Sequence, residues 1–170
     1  MEFGKIVLLS IVAAICYGIL HDQVTARICV EYFTIFHPPM FHTGNPTLLG
    51  LGWGVIATWW LGAFLGVVLA LSARAGNQRK IDARELVRPV LQLLAVMALS
   101  ALFFGTTGYG LARRGVITPP VWVMENLARY SYNAFVADWW AHNASYAAAT
   151  LGGTVLCVMT YRKRVYARVP

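Results

Sequence analysis

Four stretches of this chain carry no charged side chain, and their lengths leave few folds open. Residues 48–72 run 25 positions without a charge, residues 89–112 run 24, residues 143–161 run 19 and residues 6–20 run 15. About 20 residues of helix cross the ~30 Å hydrocarbon core of a bilayer. No water reaches a bare N–H or C=O there, so a spanning segment must pair its own backbone as a helix or close into a barrel. The runs are continuous rather than alternately apolar and polar, which selects helices. The shortest run reaches spanning length once Phe3 is added and Lys5 snorkels its ammonium to the headgroups. The expected fold class is an all-α membrane protein: four transmembrane helices in a bundle, with short interfacial helices on the extracytoplasmic side. The spans fall at about residues 3–20, 48–72, 89–112 and 142–161. Composition agrees, since 12% of the residues are charged against about 25% in an average soluble domain. No repeat, linker or low-complexity tract divides the chain, so residues 1–170 read as one domain.

The first run has a basic residue followed by an apolar stretch, as a signal peptide does. No small-x-small cleavage site follows, and Ile15 before Cys16 breaks a lipobox, so an uncleaved span is expected. Ten of the 14 Lys and Arg residues fall on one side of this arrangement: Lys5, the loop set Arg74, Arg79, Lys80, Arg84 and Arg88, and the tail set Arg162, Lys163, Arg164 and Arg168. The positive-inside rule then places both termini in the cytoplasm of a multi-pass plasma (inner) membrane protein. The net charge of +7 is spent on topology and on anionic headgroups. No basic stripe with interleaved aromatics points to nucleic acid.

Punctuation is clear outside the spans. His37-Pro38-Pro39 stops a helical pattern that begins at Asp22, because proline removes a donor and restricts its predecessor. Thr47 is expected to cap the second span. Gly105 to Gly110 suggests an outer end for the third that is either irregular or tightly packed. Glycines at 50, 54, 62 and 66 give the second span a small-xxx-small spacing that lets backbones approach. Packing within the chain's own bundle is one use of it, and homo-oligomerisation through this Gly-rich span is the other. Membrane lipids are the remaining expected partner. Three cysteines, Cys16, Cys29 and Cys157, allow at most one disulfide, and all three are expected free.

With this topology all four histidines lie in extracytoplasmic segments, together with Asp22, Glu31, Glu125 and Asp138, four of the seven acids. Asp138 and His142 are spaced i,i+4, which puts both on one helical face with Cβ atoms about 6 Å apart. A carboxylate and an imidazole there can share a divalent ion, or the acid can orient the ring. The plain alternative is a local hydrogen-bonded pair. His21-Asp22 ends the first span at the same depth. If the two helices are neighbours, His21, Asp22, Asp138 and His142 form a metal site, with zinc first and iron or manganese as alternatives. Glu31 is the candidate catalytic base on metal-bound water. In one straight helix, however, it would stand about 15 Å above His21, so it needs a chain reversal, and Arg27 four residues earlier offers it a simple ion pair. His37, Met40 and His42 resemble a copper loop in composition but read more simply as an interface loop. Glu125 with Arg129 reads as a structural pair. The sequon at Asn143 is discounted because it lies on a membrane helix.

No HExxH, CxxC, phosphate-binding glycine loop or Gly-x-Ser-x-Gly is present, nor are the histidine clusters of membrane desaturases. The functional expectation is a membrane protein with a His/carboxylate metal site, acting as a metal-dependent enzyme on a lipid or amphiphile. The alternatives are a non-catalytic binding or assembly subunit and a bis-His haem protein using His21 and His142.

Overall fold

The computed structural model describes residues 1–166, and Arg168 lies outside them. Among the described residues there are seven α-helices and one 3₁₀ turn (Arg129–Ser131), and no strand. The long helices are α1 (Glu2–Ile28), α5 (Ala83–Arg113) and α7 (Tyr132–Tyr166). The second apolar run is broken into α3 (Pro46–Ile56) and α4 (Trp59–Arg74). Two short helices, α2 (Val30–Thr34) and α6 (Val121–Met124), lie in the two histidine-side segments. Three segments, Glu2–Ile28, Pro46–Arg74 and Ala83–Arg113, are long and apolar enough to cross a membrane. Helix α7 is long enough too, but His, Asn, Ser, Thr and Gly along it lower its mean hydropathy. It is the most enclosed helix, packed on α5 and α4, so small and polar residues replace large apolar ones along it.

The bundle consists of two tight pairs. Helix α1 packs along α3 and α4, and α5 packs along α7, with lighter α4–α7 and α1–α5 contacts between the pairs. Glycine makes the first pair close. A Cβ on Gly18 would stand 2.4 Å from the Gly54 carbonyl oxygen, and one on Gly62 would stand 2.8 Å from that of Ser10. In the second pair Gly105 lies against Ala137 and Ala141, and Gly108 against Trp140. Of the two expectations for this end of the helix, tight packing holds: it is regular helix, with Gly105 and Gly108 accommodating α7. Outside the pairs, Leu8, Leu20, Val24, Leu91, Leu99, Leu102 and Phe103 are each more than half exposed. Such a continuous apolar surface is foreign to a soluble monomer and consistent with membrane association.

Three details differ from expectation. Asn45, not Thr47, caps α3: its side-chain oxygen accepts from the amides of Thr47 (2.9 Å) and Leu48 (3.3 Å), with Pro46 in the first turn, where no N–H is needed. The second run breaks at Ala57–Thr58, where the Thr58 hydroxyl donates to the Gly54 carbonyl at 2.6 Å and competes with the helical ladder. Helix α1 runs past residue 20 to Ile28, then stops at Cys29, whose backbone is extended (φ −145°, ψ 95°). All three cysteines are free.

At the basic end, Arg164 is wholly buried. Its guanidinium donates to three carbonyls, those of Arg79, Ser72 and Ala75, at 2.6, 2.6 and 2.5 Å. It closes the C-terminal end of α4 and anchors the loop that follows to α7.

Candidate metal centre

Helix α1 brings His21 and Asp22 to its interior face about two turns before its end, and Gly50 allows α3 to lie directly on that turn. A Cβ there would come 2.9 Å from the Asp22 carbonyl oxygen. Helix α7 brings His142 to the same level from the other helix pair. One ligand atom from each of His21, Asp22 and His142 lies within 4.8 Å of the other two, so this cluster could hold a metal ion. Asp22 and His142 are buried.

Hydrogen bonding fixes how the groups face one another. His142 Nδ1 lies 2.7 Å from the Asp138 carbonyl oxygen. A carbonyl only accepts, so Nδ1 carries the proton and Nε2 presents its lone pair. Nε2 in turn faces Asp22 Oδ1 at 3.2 Å. Two acceptors in contact need a cation between them, either a proton or a metal ion. The Nε2 of His21 is buried beside them without a hydrogen-bond partner. The imidazoles of His21 and His142 meet edge to face, centroids 4.5 Å apart, which leaves no room for a haem macrocycle between them. Tyr32 stacks on the other side of His142 at 4.5 Å, and Tyr17 on His21 at 5.7 Å. A metal-ligating histidine commonly has its second nitrogen held by a carbonyl and its ring braced by neighbours.

The remaining sequence candidates divide. Asp138 contributes its backbone carbonyl, while its carboxylate lies outside the three-residue cluster, wholly buried with both oxygens unpartnered. The Cys29 amide faces that carboxylate but donates instead to the Thr25 carbonyl at 2.9 Å. Glu31 also lies outside the cluster. The break at Cys29 does turn the chain, yet Glu31 accepts from Ser131 Oγ at 3.0 Å and from the Cys29 thiol at 3.4 Å. Arg27 does not pair with it, bonding Gln23 and Thr47 instead. Cys29 lies outside the cluster too, and burial pushes its thiol up to about 12. His42 is exposed.

Sequence reasoning undervalued His37. It lines the same cavity as His21, Asp22 and His142. Its Nδ1 lies 2.9 Å from the Tyr32 carbonyl, so Nε2 is again the free nitrogen. Burial, opposed by that hydrogen bond, holds its pKa below the ordinary histidine range, and the ring is neutral at pH 7. Tyr17 and Tyr32 were also missed as ring supports. Tyr17 stands four residues before His21 on one helical face, a signal the sequence did carry. Tyr32 carried none, because its approach to His142 depends on the turn at Cys29.

No protein-family model, no curated protein and no solved structure matches this chain.

Proposed function

We propose that this chain is a four-span integral membrane protein, both termini cytoplasmic, that holds a zinc ion at its extracytoplasmic end through His21, Asp22 and His142. The ion serves chemistry on the head of an amphiphile. One observation carries the reading: His142 Nε2 and the Asp22 carboxylate face each other at 3.2 Å, with a third ligand, His21 Nε2, beside them and without a hydrogen-bond partner among the described residues. Two imidazoles and one carboxylate leave a further coordination position, the pattern of catalytic rather than structural zinc sites. All three side chains line a cavity, which gives that position somewhere to open.

A zinc ion there would lower the pKa of a bound water to about 7 and polarise a carbonyl or phosphoryl oxygen. The chain's own groups supply the rest. The Asp138 carbonyl fixes the tautomer of His142, and Tyr32 and Tyr17 fix the ring planes. His37, neutral and lining the cavity, is placed to move a proton. Glu31 acts at one remove, as a positioning residue whose carboxylate holds Ser131 and the turn at Cys29.

Elemental analysis of protein purified in detergent without chelator tests this reading. About one zinc per chain is expected, with loss of the ion in His142→Ala and in Asp22→Asn. Metal-free wild-type protein would reject it. Iron or manganese in place of zinc would keep the site and change its chemistry.

A further inference from the structure

From the three ligands a cavity runs down the inside of the bundle between the two helix pairs. Its volume is about 130 Å³, and its walls reach Ser10 on α1, Leu69 on α4, Val90 on α5 and Cys157 on α7. From His142 to Cys157 is about 22 Å of helix, and from His21 to Ser10 about 16 Å. One leaflet of hydrocarbon is about 15 Å deep, half of the ~30 Å core.

The chemistry of the wall changes along this length. Five of its six hydroxyls are engaged by the protein: Tyr17 with Ser145 at 2.8 Å, Tyr146 with the Ala57 carbonyl at 3.2 Å, Thr58 with that of Gly54 and Ser10 with that of Ile6; the sixth, Tyr32, belongs to the histidine end, where its ring stacks on His142. What faces the space is otherwise alkyl, from Leu61, Leu65, Leu93, Leu94 and Leu156. The unspent polar groups gather at the top, where His37 and Tyr32 join the His21, Asp22 and His142 cluster. Below it a file of water or ions would find only the remaining lone pairs of hydroxyls already bonded to the protein. A second, apolar groove, between α1 and α5, shares Tyr17 and His21 with the first as wall residues and is bordered by Leu20, Val24 and Leu102, side chains more than half exposed on the apolar surface.

We infer that the interior cavity binds one hydrocarbon chain of a membrane amphiphile, tail toward the basic end, with its polar head at His21, Asp22 and His142. The inference rests on the proposed metal centre for the fate of the head, but tail binding itself depends only on the cavity. The groove at His21 is the entrance from the leaflet. Backbone contact at Gly18–Gly54 and Gly62–Ser10 closes the first helix pair, and Gly105–Ala141 the second, and a volume of about 130 Å³ spread along the cavity leaves room for one chain abreast, not two. Single-chain lipids, such as fatty acids, prenyl phosphates or lysolipids, are the class selected.

A long-chain fatty acid bearing a diazirine near its methyl end is the probe. It is photolysed with the detergent-purified full chain, and the modified residues are mapped by peptide mass spectrometry. Labelling is expected at Leu65, Leu93 and Leu156. It should fall about ten-fold or more in Ala149→Phe, which plugs the cavity, since excluding about two methylenes suffices for that factor. Leu94→Trp is the second plug, should the first not fold. A diacyl phospholipid with the same diazirine should label only outward residues such as Leu91 and Leu102. Labelling by the fatty acid confined to those outward residues, or unchanged in a folded plugged variant, would overturn the inference. His142→Ala separates the two readings. Metal is lost while interior labelling persists if both hold. Interior labelling of wild-type protein that contains no metal would uphold the cavity and reject the metal centre.

Discussion

At the scale of single residues, the account separates two acids that the sequence presents as equals. Asp22 faces the lone pair of His142, whereas Asp138 serves through its backbone carbonyl. Asp22→Asn should therefore lose the ion, since a neutral amide cannot balance its charge. Asp138→Asn, which leaves the carbonyl in place, should retain the ion and fold. Metal-to-protein ratios of the two variants check this, and equal loss in both would place Asp138 among the ligands. His37→Gln is expected to keep the ion but to lower turnover by about 10²-fold, the lower range for removal of a proton-transfer group. How far the site was legible follows from the same residues. The i,i+4 spacing of Asp138 and His142 and the adjacency of His21 and Asp22 are local facts, open to sequence reading. Which oxygen of Asp138 matters is not, because it depends on His142 folding back on its own helix. His37 was hidden for a similar reason. Two prolines mark it as a loop residue, and only the packing of Tyr32, Phe33 and Trp53 around its ring turns that loop inward.

Among the elements, the close α1–α3–α4 pair and the Arg164 clamp make separate demands. Gly18→Leu places a side chain on the Gly54 carbonyl, a backbone atom that cannot yield as a flexible side chain would. A loss of about 1–3 kcal/mol is expected, read as a lower midpoint of thermal unfolding in detergent. Gly4→Leu, with open space around it, is the control. Arg164→Ala leaves three carbonyls without their charged donor. It should cost about 3 kcal/mol or more and speed amide exchange around residues 72–81. Arg164→Lys should not restore protection, because an ammonium lacks the planar fork that reaches three carbonyls at once. The helices themselves were largely readable from uncharged runs and proline punctuation. Their breaks were not. The interruption at Ala57–Thr58 falls in an uncharged run with no proline between residues 47 and 72, and the end of α1 falls at an extended Cys29 that no strong breaker announces.

For the whole molecule, the two helix pairs are sequentially separate halves, and the proposed ion would join them, with His21 and Asp22 from one and His142 from the other. Binding to the folded state alone would raise stability by about 2.7 kcal/mol at a metal concentration a hundred times the dissociation constant. Chelation should therefore lower the unfolding midpoint of the wild type and leave that of His142→Ala unchanged. Orientation has its own check: a fluorescent reporter at the C-terminus and alkaline phosphatase fused in the segment after Arg114 should both be active, as the charge asymmetry requires. The charge pattern behind the proposed orientation is visible in sequence, whereas the pairing of helices is not, because the glycines that decide it serve neighbours within the chain or in another copy equally well. The claim on which the functional account stands is that one ion is held between α1 and α7 by two imidazoles and a carboxylate. X-ray absorption at the metal edge of protein purified without chelator reads that shell directly. The expected spectrum has only nitrogen and oxygen neighbours at about 2.0–2.2 Å, with scattering from two imidazoles in the wild type and one in His21→Ala. A sulfur neighbour at about 2.3 Å, or an imidazole count unchanged by His21→Ala, would contradict it.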